Sequence, residues 1–429
     1  MNAIAIHASL LYTGSVLMWY SDQPVGSGTG SVAVVWNPTT NTLTQNNVPF
    51  AVDAFCAGSV MLPNGRLMIV GGRDDSYGAG SDAGIPNVLE YIPYNNTWAQ
   101  VTPMNYGRWY PTAVELPSGD ILVASGENST ATHIVTQMET YGVTTNKWTV
   151  LPGTANISTH TNFYPRMILM TTGNIFEPGM IINNAMFNPT TNQWSSVPTI
   201  PSFWPRIYGG AVLLPGLEKV LSVGGRQGDD ETTAATNSTS TIDFSQQNPV
   251  WVDGCGADQP PNTTCVTVAQ GGPAPMNAVR ENPNLILLPD GTVLAEGGGS
   301  GGGKYSNPVY YPEDYDPVKN TWTSYNPQQV QRTYHSTAVL LLDGRVLSAG
   351  SDWGTQEKTL EVFSPPYLSN GSRPSITSAP ATVKYGQQFT ISTPNASTIT
   401  RVALIKVASC THATRFDERF VDLTFTIGS

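Results

Sequence analysis

Histidine is scarce in this chain, at His7, His133, His160, His335 and His412, and two of these keep chemically interesting company. His335 follows Tyr334 in RTYHSTAV (332–339), and His412 stands two residues after Cys410 in SCTHAT (409–414). Tyr110 in GRWYPTAV (107–114) and Cys56 in AFCAGSVML (54–62) hold corresponding places just ahead of apolar strands. Two imidazoles and two phenolates form a tetragonal N,O donor set, which favours Cu(II) over zinc. A thiol beside a tyrosine adds redox chemistry rather than a third soft ligand. The plainer reading packs each Tyr and His into a seam of the fold, satisfied by backbone hydrogen bonds. Residue statistics alone give that reading the greater weight.

The elements that must position these residues come from an internal repeat. An apolar strand, a Gly turn and a second apolar strand recur as ASLLYTGSVLMWY (8–20), GSVMLPNGRLMIVGG (58–72) and TAVELPSGDILVASG (112–126). The pattern continues as RMILMTTGNIFEPG (166–179), GAVLLPGLEKVLSVGG (210–225), PNLILLPDGTVLAEGG (283–298) and STAVLLLDGRVLSAG (336–350). Gly14, Gly65, Gly119 and Gly173 are 51, 54 and 54 residues apart, and Gly291 precedes Gly344 by 53. The interval from Gly216 to Gly291 is 75, the excess being an insertion around Cys255 and Cys265. A second hairpin interleaves with the first, as in WNPTTNTLT (36–44), YIPYNNTWAQV (91–101), FNPTTNQWSSVP (187–198) and YDPVKNTWTSY (315–325). Two hairpins per period make a four-stranded propeller blade, and seven periods make seven blades. A β-sandwich does not explain a period near fifty. The mouths of the blades bearing Cys56, Tyr110 and His335 are expected to converge on one end of the propeller axis.

The repeat stops near Phe363, so residues 1–363 are expected to form a seven-bladed β-propeller. SPPYLSNGSRPSI (364–376) reads as a linker, and TVKYGQQFTIST, TRVALIKV and FVDLTFTI read as strands of an immunoglobulin-like β-domain over 364–429. That segment is short for a complete sandwich of about 100 residues, so the domain is expected to be partial.

Composition bounds the function. The formal net charge of −11 and the pI near 4.8 disfavour nucleic acid. No apolar run approaches the ~20 residues of a bilayer-spanning helix. No cationic-then-apolar leader opens the chain, which is therefore expected in its mature form. Seven Asn-x-Ser/Thr sequons begin at Asn95, Asn128, Asn156, Asn237, Asn262, Asn370 and Asn395. Together with a local disulfide expected between Cys255 and Cys265, they point to secretion.

With these motifs in place, the chain resembles the copper radical oxidases that include galactose oxidase and glyoxal oxidase. The resemblance spans the blades, the linker EVFSPPYLSNGSRPSI and the C-terminal SCTH. It implies one copper ion, with His335, His412 and Tyr110 as equatorial ligands and Tyr334 as the axial one. It further implies a thioether between Tyr110 and Cys56 that carries a radical. Tyr334 would accept the hydroxyl proton, and the Tyr110 radical the carbon-bound hydrogen, of a small alcohol or aldehyde hydrate. O2 would leave as H2O2, with a peroxidase as a possible consumer.

The chain departs from galactose oxidase where that enzyme stacks a Trp over the thioether, for Asn128 stands there. RWYPTAV, NFYPRMILMTTGNIF and RTYHSTAVLLLDGRVLSAGS are more similar to the glyoxal oxidase branch. Asn128, His160, Phe163 and Trp204 are the expected substrate contacts. Trp204 ranks above Trp109 as a substitute for the stacking Trp, because alternation turns Trp109 away from Tyr110. Cys410 is read as a small buried strand-end residue rather than a redox partner or metal ligand, and His7, at the first blade's entry, as packing or rim. Two other readings stand beside this one: a galactose or primary-alcohol oxidase, and a non-catalytic kelch propeller that binds glycans or proteins. The second has no need of Cys56, Tyr110, Tyr334, His335 and His412 together.

Overall fold

The computed structural model describes residues 3–20, 30–74, 83–128, 134–157, 164–178, 184–198, 206–228, 233–256, 265–303, 305–352 and 356–428. Within them, seven antiparallel sheets follow one another along the chain as propeller blades. Blade 1 begins with His7–Leu10 and Val16–Tyr20, blade 2 with Gly58–Met61 and Leu67–Val70, and blade 3 with Thr112–Glu115 and Ile121–Ala124. Blade 5 begins with Gly210–Leu213 and Lys219–Val223, and blade 6 with Asn284–Leu287, Val293–Glu296 and Glu313–Asp316. Blade 7 is formed by Ser336–Leu340, Val346–Gly350 and Leu360–Phe363. All seven turn glycines of the first hairpin take φ between +81° and +95°, a conformation that costs glycine least. In the second hairpin the turn falls to Asn41, Asn96, Asn146, Asn192 and Asn320, each near φ +55°, which Asn tolerates better than most residues.

Neighbouring blades bury one another's faces. Leu17, Trp19 and Val35 of blade 1 pack on Leu67, Ile69 and Tyr91 of blade 2, and comparable clusters fill the other seams. A second device recurs where the chain enters a blade. Arg108, Arg206, Arg280 and Arg332 are buried and pair with Glu139, Asp253, Glu313 and Glu361 at 2.9, 3.2, 2.9 and 3.4 Å. Each also donates to a carbonyl at the end of its blade's second strand, at Ser125, Gly224, Gly297 or Gly350. These pairs nail down the segments that carry Tyr110, Tyr208, Asn282 and Tyr334. The insertion after blade 5 is closed by the disulfide between Cys255 and Cys265.

The C-terminal segment enters the propeller. Its hairpin, Ser409–Thr411 and Thr414–Phe416, lies antiparallel against His7–Leu10, with Thr411 opposite His7 and Ser409 opposite Ser9. It also touches inner strands of blades 2, 3, 6 and 7, and so occupies the axis. A buried run of hydroxyls, Ser9–Ser409–Ser59, ties it to blades 1 and 2 at 2.5 and 2.6 Å. At its base, Lys406 pairs with Glu115 of blade 3 and with Asp417. Val402–Lys406 and Arg419–Leu423 pair as expected for TRVALIKV and FVDLTFTI. TVKYGQQFTIST does not form a strand: the bridge between Ser378 and Ser392 is its one ladder contact among the described residues. Its alternating apolar residues Val383 and Tyr385 are exposed, with no facing layer to bury them.

Candidate metal centre

One backbone position recurs through blades 2 to 7. Cys56, Tyr110, Tyr164, Tyr208, Asn282 and His335 each stand just ahead of the inner strand, with φ between +44° and +64°. Non-glycine residues seldom adopt this left-handed conformation, and clusters of them mark functional sites. His412 reaches the same place by another route. It and Ala413 form the two-residue turn of the C-terminal hairpin, with φ +52° and +59°. Such turns favour Asn-Gly, so His-Ala here is held by its surroundings rather than by local preference.

These residues meet in a buried group. The ligand atoms of Cys56, His335 and His412 all lie within 4.8 Å of one another. Cys56 Sγ is 3.4 Å from His412 Nε2, and the hydroxyls of Tyr110 and Tyr334 are 3.4 Å apart. The His335 ring lies 4.0 Å from that of Tyr334 and 4.2 Å from that of His412. Cys56 also hydrogen-bonds the Tyr110 side chain, while the Tyr110 backbone N–H donates to the Cys56 carbonyl at 2.9 Å. All five sequence-predicted cofactor residues are thus brought together.

The electrostatics fit a cation. Burial pushes the Cys56 thiol and the Tyr110 and Tyr334 phenols well above their ordinary values, so all three are neutral when no cation is near. A metal ion among them reverses that preference. His335 Nδ1 meets the Asp352 carboxylate at 2.6 Å, and its Nε2 is buried without a hydrogen-bond partner. A carboxylate behind an imidazole whose other nitrogen is bare is the usual preparation of a metal ligand. His412 Nδ1 is likewise taken up by Thr411 Oγ1 at 2.5 Å, and its Nε2 faces the group.

The surroundings differ in part from the sequence reading. Trp109 packs against Tyr110 with ring centroids 4.3 Å apart and planes tilted by 57°. Alternation fails there because it assumes an extended backbone at both residues, and Tyr110 is left-handed. Asn128 is exposed, one residue beyond Glu127, which bridges to Trp109. His160, Phe163 and Trp204 lie outside the described residues. Cys410 is buried away from the group and donates to the Ala338 carbonyl. Tyr164, Tyr208, Tyr305 and Asp352 were missed by the sequence reading. Tyr164 sets its ring 5.1 Å from those of both Tyr110 and His412, and Tyr208 and Tyr305 stand edge-on to Tyr334 at 6.0 and 5.4 Å. The 54-residue step from Tyr110 to Tyr164 was the available signal.

The chain is similar to several known oxidases. Galactose oxidase of Gibberella zeae is 26% identical, aligned over 96% of this chain and 61% of its own. The aldehyde oxidase GLOX of Vitis pseudoreticulata is 26% identical over 87% of this chain and 73% of its own. The chain therefore spans about three-fifths of the length of its galactose oxidase relatives. A solved fungal alcohol oxidase of the AA5 family, in complex with copper, shares the fold: TM-score 0.81, 20% identity, covering 98% of this chain and 88% of that one. A galactose oxidase-like Early set domain matches residues 373–429, and the glyoxal oxidase N-terminus family matches residues 27–367. The chain belongs to that glyoxal oxidase family.

Proposed function

We propose that this chain is a copper radical oxidase that converts small aldehydes, as their hydrates, or primary alcohols with O2, releasing H2O2. The observation that carries this reading is the buried meeting of Cys56, Tyr110, Tyr334, His335 and His412, with the bare Nε2 of His335 among them. Copper bound at Tyr110, Tyr334, His335 and His412 would accept one electron and acidify a substrate hydroxyl. Tyr334 Oη is the atom that takes the hydroxyl proton. Tyr110, linked through its ring to Cys56 Sγ, takes the carbon-bound hydrogen at Oη and supplies the second oxidising equivalent. The aromatic shell of Trp109, Tyr164 and Phe416 keeps water from that ring. His160, Phe163, Trp204 and Asn128 remain the proposed substrate contacts. Residues 1–363 and 364–429 are the proposed units, the second supplying His412.

The disulfide and the sequons support a secreted protein, and a peroxidase is a suitable consumer of the H2O2. Among the described residues, no helix is long and apolar enough to cross a membrane. Small aldehydes are the favoured substrates, since Asn128 offers a hexose no aromatic platform to pack against. Trp109, packed on Tyr110, favours a second reading in which such a platform exists and galactose or another primary alcohol is used. H2O2 release by copper-loaded protein from glyoxal, methylglyoxal, benzyl alcohol and galactose, with peroxidase present, decides between them. A tenfold preference for galactose establishes the second reading, and no H2O2 from any of the four sinks both.

A further inference from the structure

His7 sits at the start of blade 1, outside the proposed ligand set, yet it touches the group from behind. Its Nε2 accepts the backbone N–H of Cys56 at 3.0 Å. Its ring lies flat on Trp19, with centroids 4.6 Å apart and planes 8° apart, and Trp19 Nε1 donates to the Ala54 carbonyl. His7 is fully buried and its other nitrogen, Nδ1, has no partner. Nε2 accepts a hydrogen bond, so in the neutral ring the proton rests on Nδ1. A buried, unpaired N–H costs about 1–3 kcal/mol. Phe would stack on Trp19 without that cost, so packing alone does not account for an imidazole here.

What the imidazole adds is a hold on Cys56. The Cys56 backbone is left-handed, with φ +54°, and is not paired in a ladder. Its carbonyl accepts from the Tyr110 N–H, and its own N–H is given to His7. The two bonds fix the residue from both sides and aim Sγ at the Tyr110 side chain and His412 Nε2. We propose that His7 is a positioning residue for the cross-link between Cys56 and Tyr110, setting the thiol for reaction with the tyrosine ring.

This inference rests on the proposed radical cofactor. In the cross-linking step, Cys56 Sγ bonds to the ring carbon ortho to the Tyr110 hydroxyl. One S–H and one ring C–H bond break, and the two protons and two electrons pass to O2, giving H2O2. The role of His7 is geometric, and no proton of the step rests on it.

The test follows the cross-link itself in full-length protein, by intact mass and by alkylation of the Cys56 thiol after denaturation, through exposure to Cu(II) and air. The wild type should lose the mass of two hydrogens and its alkylatable Cys56. His7→Phe keeps the stacking and removes the acceptor, so it should cross-link at least tenfold more slowly. His7→Gln restores an acceptor near the Nε2 position and should recover most of the wild-type rate at a comparable Tm. Wild-type speed in His7→Phe overturns the proposal. So does a folded His7→Gln that is as slow as His7→Phe, and this arm stands even where the Phe variant fails to fold. A wild type that never cross-links refutes the proposed cofactor instead of the role of His7.

Discussion

The Asp352 carboxylate meets His335 Nδ1 at 2.6 Å and leaves the ring's other nitrogen, Nε2, buried and without a hydrogen-bond partner. That bond sets both the tautomer and the tilt of the ring before any metal arrives. Replacing Asp352 with Ala should weaken copper binding about 10–100-fold, the usual cost of losing such a partner. Competition against a chelator of known affinity measures it. Unchanged affinity would mean that the Asp352 bond does not prepare His335 for the metal.

His412 is carried on a strained two-residue turn rather than on a blade. His412→Ala should lose tight copper binding while the hairpin stays docked, since Ser9, Ser59, Lys406 and Glu115 still hold it. The expected pair of results is a large fall in copper affinity and a nearly unchanged Tm. A matching fall in Tm would instead assign His412 a mainly structural part.

Cys56→Ser keeps a small polar side chain at the left-handed position. Copper should still bind, because the proposed ligands are untouched, whereas turnover should nearly vanish and the two-hydrogen mass loss should be absent. Full turnover in this variant argues against the sulfur-modified tyrosine.

Much of this site was legible because the residues that matter lie at the blade period. Cys56 and Tyr110 are 54 residues apart, and His335 heads the last repeat. Reading for ligand types picked these three and passed over Tyr164 and Tyr208, which occupy the same backbone position. Trp109 was misplaced by an alternation rule that its left-handed neighbour breaks. The hydrogen bond from Cys56 to His7, and the pairing of Ser409–Thr411 with His7–Leu10 across some four hundred residues, leave no local pattern to read.

The Arg280–Glu313 pair is fully buried at 2.9 Å, and Glu313 also accepts the backbone N–H groups of Asn277 and Ala278. Glu313→Gln strands the guanidinium and should cost about 3–5 kcal/mol in urea unfolding. Glu90→Gln, opposite the partly exposed Arg66, should cost about 1 kcal/mol or less. Equal losses would contradict the role given to burial.

Asp314 is buried on the third strand of blade 6, with its carboxyl pushed from 3.8 up to about 6, chiefly by burial. The folded protein therefore holds this proton more tightly than the unfolded chain. The stability it contributes is complete below about pH 4 and is lost as pH rises to about 6. Asp314→Asn should flatten the stability–pH curve across that window, as chemical denaturation at stepped pH would reveal. An unaltered slope means that the carboxyl titrates normally.

Because the strand laid on His7–Leu10 comes from residues 409–411, a segment made ahead of the blades' later strands waits for one made after all seven blades. Until then the inner edge of blade 1 is unpaired, and the proposed ligand His412 has not been made. A nascent chain with all seven blades would thus hold Cys56, Tyr110, Tyr334 and His335 without the fourth proposed copper donor. Metal capture, and any oxidation that depends on it, is thereby deferred until the hairpin that follows the blades has been made. The placement of one histidine makes assembly of the proposed centre wait on a segment that no blade contains.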